Sequence, residues 1–251
     1  MRPDVDTWLR RFEPAPEAGV RLLVLPHAGG SASFYRPVSR ALAPRVEVVT
    51  AQYPGRQDRH RERPLPTIAA LADQLAEVMS ALDDRPLMVF GHSMGAVVGY
   101  ELAQRLRTAG ARAPIRFFAS GRRAPSRHRV ETVHLRDDPG IIAELRRLSG
   151  SNADALANPE VMRLAMPSVR ADYRAIETYR HTHDAPLGCP ITVLTGDADP
   201  QVTLEEARAW REHSTAEVEV QVLPGGHFFV VEQAPRVLRI LAAAADAVTR
   251  T

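Results

Sequence analysis

The chain has 251 residues, of which 45% are hydrophobic and 25% charged. These are the proportions of an ordinary globular protein, long enough to bury about three quarters of its unfolded surface. Its 32 basic residues, all of them arginine, against 30 acidic ones leave a net charge of +2, too little for a protein that holds nucleic acid by charge. No apolar run approaches the roughly 20 residues of a membrane span, and Met1-Arg2-Pro3-Asp4 does not lead into the apolar stretch of a secretory signal. Cys189, the one cysteine, excludes an internal disulfide framework and any multi-cysteine zinc site. A cytoplasmic protein with no membrane or nucleic-acid partner is expected.

In chain order, short apolar runs alternate with helical patterns, as in a mostly parallel sheet with crossover helices. Strands are expected at Arg21–Leu25, Val46–Ala51, Leu87–Phe90, Ile115–Ala119, Ile191–Thr195 and Glu217–Leu223. Most are too uniformly apolar to expose a face. The last alternates strictly and belongs half exposed near a sheet edge. Thr67–Leu82 carries Ile68, Leu71, Leu75, Val78 and Leu82 at helical spacing, and a second helix follows Ser93 and stops near Gly110. Thr203 with Glu206 has the spacing of a capping box for a helix through Trp210, and Val237–Val248 closes the chain as an amphipathic helix. Between Pro125 and Pro186 there is no convincing strand, only helical pieces such as Ile141–Leu148 and Val161–Tyr179. Pattern alone leaves that block as either a packing elaboration or a lid.

The chemistry centres on Gly91-His92-Ser93-Met94-Gly95, a G-x-S-x-G between a buried strand and a helix. A strand turning this sharply into a helix strains the serine backbone and leaves no room for side chains at the neighbouring glycines. It lifts the Ser93 hydroxyl to the top of the sheet beside the free N–H groups of a helix N-terminus. A serine hydroxyl needs a base and an orienting acid to become a nucleophile. His227, in Pro224-Gly225-Gly226-His227 directly after the last strand, is the base expected. Of the other histidines, His92 lies inside the turn, His213 ends a helix, His60 and His128 lie in arginine-rich loops, and His134, His181 and His183 fall in the helical block. His181-x-His183 has metal-pair spacing without an evident third ligand. The acid is expected in Gly196-Asp197-Ala198-Asp199, with Asp199 preferred and Asp197 as its turn-stabilising partner. The order Ser, Asp, His is that of an α/β-hydrolase. An oxyanion hole is expected from the N–H of Met94, the residue after the nucleophile, and that of Ala28, in the small-residue loop Pro26-His27-Ala28-Gly29-Gly30.

These segments, with Ser33-Phe34-Tyr35, Gln52-Tyr53-Pro54-Gly55-Arg56, Arg170-Ala171-Asp172-Tyr173 and Gly225-Gly226-His227-Phe228, fall in order across nearly the whole chain. Together they resemble the type II thioesterases of polyketide and nonribosomal peptide pathways. The resemblance implies one α/β-hydrolase domain over residues 1–251, with a mobile helical lid at about 125–186. It also implies a stand-alone editing enzyme that hydrolyses short or aberrant acyl groups from the phosphopantetheine thiol of acyl or peptidyl carrier proteins. No separate cofactor or metal is implied, since phosphopantetheine arrives with the substrate, and a monomer is expected. Two other readings use the same residues: a serine hydrolase or acyltransferase acting on a small ester, alcohol or amine, and a non-catalytic carrier-docking protein, which would not need the histidine and aspartate. The arginine-rich stretches 56–63 and 122–129 follow expected strands. They are either a docking surface for an acidic carrier or solvated loops.

Overall fold

The computed structural model describes residues 4–82, 84–149, 158–182 and 185–249. Its frame is a seven-stranded sheet, β1 (Leu9–Arg10), β2 (Arg21–Leu25), β3 (Glu47–Ala51), β4 (Leu87–His92), β5 (Arg116–Ser120), β6 (Ile191–Gly196) and β7 (Val218–Leu223), in the order β1-β3-β2-β4-β5-β6-β7. Every neighbouring pair is parallel except β1–β3. This is the mostly parallel architecture expected, with strand ends within about two residues of those read from the sequence. β1 was not expected. Two residues are too few to show alternation, and they are held from outside by pairing with Thr50 and Ala51 and by the Gln52 N–H donating to the Trp8 carbonyl.

The strands separate two apolar layers by the simple alternation of their side chains. Leu23, Leu25, Val49, Val89, Phe117, Ala119 and Val193 point to one face, while Leu22, Val24, Val48, Met88, Phe90, Phe118 and Leu194 point to the other. The first face is covered by α1 (Val5–Trp8), α3 (Ile68–Ser80) and α4 (Met94–Thr108), the second by α2 (Arg36–Leu42) and α9 (Ala234–Thr249), which follows the single turn α8 (Phe229–Glu232). α3 buries Ile68, Leu71, Leu75 and Val78 and is started by the Thr67 hydroxyl, which accepts from the Ala70 N–H. α9 buries Val237, Leu241 and Ala245, one stripe at four-residue spacing. α4 is enclosed on almost every side between the sheet and α3, which fixes the helix that begins at the Ser93 turn.

The expected helix from Thr203 to Trp210 is shorter. α7 (Leu204–Arg208) has the full capping box of Thr203 and Glu206, then tightens into a 3-10 turn over Ala209–His213. Between β5 and β6 lie α5 (Asp138–Ser149) and α6 (Pro159–Thr178). No described residue of that block belongs to a strand. α6 starts with Asn158 accepting from the Glu160 and Val161 N–H groups and with Pro159 in its first turn, where a missing N–H costs nothing. The block carries an apolar cluster of its own, built on Val133, Ile141, Met162, Met166, Val169 and Tyr173. No described helix is long and apolar enough to cross a membrane.

The sheet order places the crevice. From β2 the chain moves outward to β3, then returns across β2 to β4 and continues through β5, β6 and β7. Connections leaving β2 and β4 therefore diverge, and a crevice opens at their carboxyl ends, where α/β folds bind ligands.

Two buried histidines make the fold sensitive to acid. The His213 ring, 3% exposed, contacts the Tyr100 and Ser126 hydroxyls, and burial with His181 nearby lowers its pKa to about 4. His92, fully buried, is pushed well below 6.5 by burial and by His227 and His27. Both contribute stability that is complete above the unfolded value near 6.5 and is lost as pH falls toward the folded value, because only the unfolded chain takes up the proton. Urea unfolding at pH 7.5 and pH 5.0 should show a loss of about 2 kcal/mol from His213 at the lower pH, with a further loss from His92. His213→Gln should remove one such share of the slope, and equal stability at the two pH values would contradict the assignment.

Candidate active site

The turn from β4 into α4 is as tight as the glycine pattern requires. A Cβ on Gly91 would lie 2.2 Å from the Gly95 carbonyl oxygen, and one on Gly95 2.0 Å from the Leu25 carbonyl oxygen. Ser93 takes φ 53° and ψ −118°, a region that side chains ordinarily avoid and that enzymes hold by over-determining the neighbourhood. Here it is held by the Ser93 N–H donating to the Ser120 carbonyl on β5 at 2.8 Å.

Ser93 Oγ lies 3.0 Å from His227 Nε2, and His227 Nδ1 lies 2.9 and 3.1 Å from the two carboxylate oxygens of Asp199. With the carboxylate accepting from Nδ1–H, the imidazole is fixed in the tautomer whose Nε2 accepts the serine proton. The side chains of His227 and Asp199 are 4% and 0% exposed, so this pair works away from bulk water. Asp199 also accepts the Gln201 N–H at 2.8 Å. The two candidate aspartates separate by position. Asp197 accepts the Gly225 N–H at 2.9 Å and orders the loop that carries the histidine, while Asp199 touches the histidine itself.

The Ala28 and Met94 N–H groups have no acceptor among the described residues. The loop holding Ala28 is braced from the helical block. Asp172 on α6 accepts the Gly29 N–H at 2.8 Å and pairs in bidentate fashion with Arg56 at 2.8 and 2.9 Å, and Arg56 donates to the Gly30 carbonyl at 2.8 Å. Both side chains are buried, and the Arg56 guanidinium also lies 5.1 Å from the centre of the Tyr53 ring. In sequence these residues were only members of a resemblance. Nothing in their spacing marks a contact across 116 positions.

Around His227 stand the rings of His27, His92 and Phe228, with His27 against Phe228 at 4.8 Å and His92 against His227 at 5.2 Å. Burial and the neighbouring cations lower the His27 pKa to about 3, and His92 is likewise held neutral. Neither competes for the proton that His227 would take. Ser93, His227 and Ala28 line a cavity of about 440 Å³ together with Val133, Leu145 and Tyr173 of the helical block.

The arginine-rich stretches are not the open surface their sequence suggests. Arg56 and Arg59 are buried. Arg59 pairs with Glu62, Arg123 with Glu131, Arg127 with Glu212 and Arg129 with Glu206. Much of this charge is thus paired within the chain, while Arg61 and Arg63 stay exposed. Of the His181-x-His183 pair, His183 lies outside the described residues, and no metal-holding group of three such side chains occurs among the described ones.

The family model described as the thioesterase domain matches residues 20–244. The chain belongs to the thioesterase family. The chain is 53% identical over 225 residues to the probable cadicidin biosynthesis thioesterase of Streptomyces griseus, covering 90% of the chain and 62% of that relative, so it spans about three fifths of the relative's length. The solved type II thioesterase BorB from the borrelidin biosynthetic cluster superposes with a TM-score of 0.91 at 47% identity, covering 96% of this chain and 98% of BorB. The RedJ thioesterase from the prodiginine pathway of Streptomyces coelicolor gives 0.86 at 37% identity, covering 92% and 87%.

The Arg56–Asp172 brace predicts a split effect. Asp172→Asn leaves a buried guanidinium without its counter-charge, which should cost about 3 kcal/mol of stability. It should also lower kcat for a thioester by at least about tenfold with little change in KM, because the donor loop loses its register at the developing oxyanion. A folded variant with unchanged kcat would separate the brace from turnover.

Proposed function

We propose that this thioesterase hydrolyses short or aberrant acyl groups from the phosphopantetheine thiol of acyl or peptidyl carrier proteins, and so edits polyketide or nonribosomal peptide assembly lines. The observation that carries the reading is the unbroken hydrogen-bond relay Ser93–His227–Asp199 beside two unpaired backbone N–H groups in a cavity of small-chain size. The names of BorB and of the cadicidin relative support the biosynthetic setting.

In the proposed mechanism Ser93 Oγ attacks the thioester carbonyl as His227 Nε2 takes its proton. Asp199 orients the ring and offsets the imidazolium charge. The Ala28 and Met94 N–H groups receive the oxyanion, each contributing about 3 kcal/mol at the transition state. The alkyl thiol, with a pKa of about 8.5, leaves with the proton from His227. Water then enters, gives its proton to the same nitrogen and cleaves the acyl-serine, regenerating the hydroxyl. Each step is carried by side chains and backbone of this chain, so the scheme draws on no metal or redox group and one copy of the chain supplies every group it uses. The block at about 125–186 serves as a lid over the cavity within one α/β-hydrolase domain. Its separate apolar cluster supports this role, since it lets the block hold its shape apart from the main core. The carrier is the macromolecular partner, and its cytoplasmic location sets that of the enzyme.

The test compares release of one short acyl group from a carrier protein and from coenzyme A, with Ser93→Ala as blank. Serine-dependent release should be faster from the carrier, and Ser93→Ala should lose at least about a thousandfold in rate while keeping its melting temperature. Retained hydrolysis in Ser93→Ala would refute the nucleophile. Equal rates from the two thioesters would remove the carrier, and release from neither would favour ester hydrolysis or acyl transfer.

A further inference from the structure

Ser93 and His227 follow β4 and β7, with β5 and β6 between them in the sheet. The ring of His92 stands in the space this leaves. His92 is the last residue of β4 and is fully buried. Its ring centre lies 5.2 Å from that of His227, 5.5 Å from Phe228 and 6.0 Å from Phe229. Three consecutive residues of the histidine loop thus meet one imidazole. The end of β5 holds the same ring. Nδ1 lies 3.0 Å from the hydroxyl of Ser120, which is paired with His92 across the β4–β5 ladder and is itself fully buried. Gly121 follows at φ 57°, where a Cβ would come within 2.6 Å of the ring's Cε1. The ring fits only because that position is glycine.

Ser120 therefore serves both partners of the relay. Its carbonyl accepts the Ser93 N–H at 2.8 Å, and its hydroxyl holds the ring beside which His227 stands. The Gly121 N–H donates to the Leu194 carbonyl on β6 at 2.8 Å, so this point of β5 is anchored to the strand that leads to Asp199. Burial and the neighbouring His227 and His27 keep the His92 ring neutral, against a weaker pull toward a proton from the His227 and Ser120 backbones. A neutral ring adds no charge beside the imidazolium that His227 would become. Its other nitrogen, Nε2, is buried without a hydrogen bond, a cost that an apolar side chain would not carry. What the imidazole supplies in return is orientation. A single hydrogen bond at Nδ1 sets the plane of a rigid ring, which packing alone would leave free to turn.

We infer that His92 is a positioning residue: held by the Ser120 hydroxyl, its ring sets the distance and angle at which His227 Nε2 meets Ser93 Oγ. The inference rests on the proposed Ser93–His227–Asp199 relay. His92 is not among the residues that line the cavity, so it acts through His227 and not on the acyl group.

The test uses two variants. His92→Asn has a short amide that reaches as far as Nδ1 but presents no ring to His227. Ser120→Ala deletes one hydroxyl, spares the backbone bond to Ser93, and keeps the question open to experiment if His92→Asn does not fold. Two rates are read: hydrolysis of an acetyl thioester of N-acetylcysteamine, and labelling of Ser93 by a fluorophosphonate, which needs the relay but no carrier. His92→Asn should lower kcat and the labelling rate at least about tenfold, with KM within about twofold of the wild-type value. Ser120→Ala should lower both rates less, and the double variant should be no worse than His92→Asn, because the hydroxyl acts only through the ring. The far-downfield proton resonance of the His227 N–H held by Asp199 should broaden in both variants. Folded variants whose rates stay within about twofold of wild type would overturn the inference. So would rates that fall only with the folded fraction while the resonance stays sharp, or additive losses in the double variant. A wild type that is labelled at Ser93 yet hydrolyses no thioester would refute the thioesterase reading, and the labelling rates would still decide this inference. No labelling of the wild type would refute the relay, and the inference with it.

Discussion

The arrangement of the site depends on one buried ion pair. Asp172 and Arg56 come from opposite sides of the crevice, one on the second helix of the inserted block and one after β3, and they meet on the loop that carries Ala28. A buried pair of this kind does little for net stability, because the desolvation of both charges offsets their attraction. What it supplies is register. The carboxylate accepts a backbone N–H on one side of the loop, and the guanidinium donates to a carbonyl on the other. The loop's peptide planes are therefore fixed by groups that could not easily find other partners. An oxyanion hole made of backbone N–H groups requires this, since its donors must be aimed before charge develops.

The sheet does the rest of the positioning by topology. Ser93, Asp199 and His227 follow β4, β6 and β7, and the Ala28 loop follows β2, so all four sit at strand carboxyl ends along one rim. Parallel strands give these ends a common height, and the reversal of strand order between β2 and β4 opens the space among them. The rings of His27, His92 and Phe228 then stand around the His227 imidazole. Because the two extra histidines stay neutral, they act as flat, weakly polar walls that keep water from the ring.

What could be read from the sequence was local. The buried strands, the strained serine turn, the capping box at Thr203 and the histidine loop each announce themselves within a dozen residues, through alternation, small-residue spacing or a matched polar pair. Which aspartate would stand against the His227 ring was also legible, since only the later one clears the turn. The two-residue strand at Leu9 was not, because its pairing is decided by β3. Nor was the fate of the arginines. Arg56 and Arg59 stand in a run that reads as open basic surface, yet their partners are Asp172, far along the chain, and Glu62, only three residues on. A cluster of like charges says nothing of which carboxylates the fold will bring to it.

The brace has a consequence for movement. The two helices of the inserted block are attached differently. α6 is locked to the donor loop through Asp172, in a buried pair, whereas α5 reaches the loop after β6 through Glu144, which accepts from the Gln201 side chain at 3.1 Å. An amide–carboxylate contact exchanges with water far more readily than a buried bidentate pair. If α6 swung away, the donor loop would lose its register, and a substrate could enter only a disarmed enzyme. If the block moves as the proposed lid, α6 is the helix held to the wall and α5 the one free to open, with the Ala28 loop kept in register throughout.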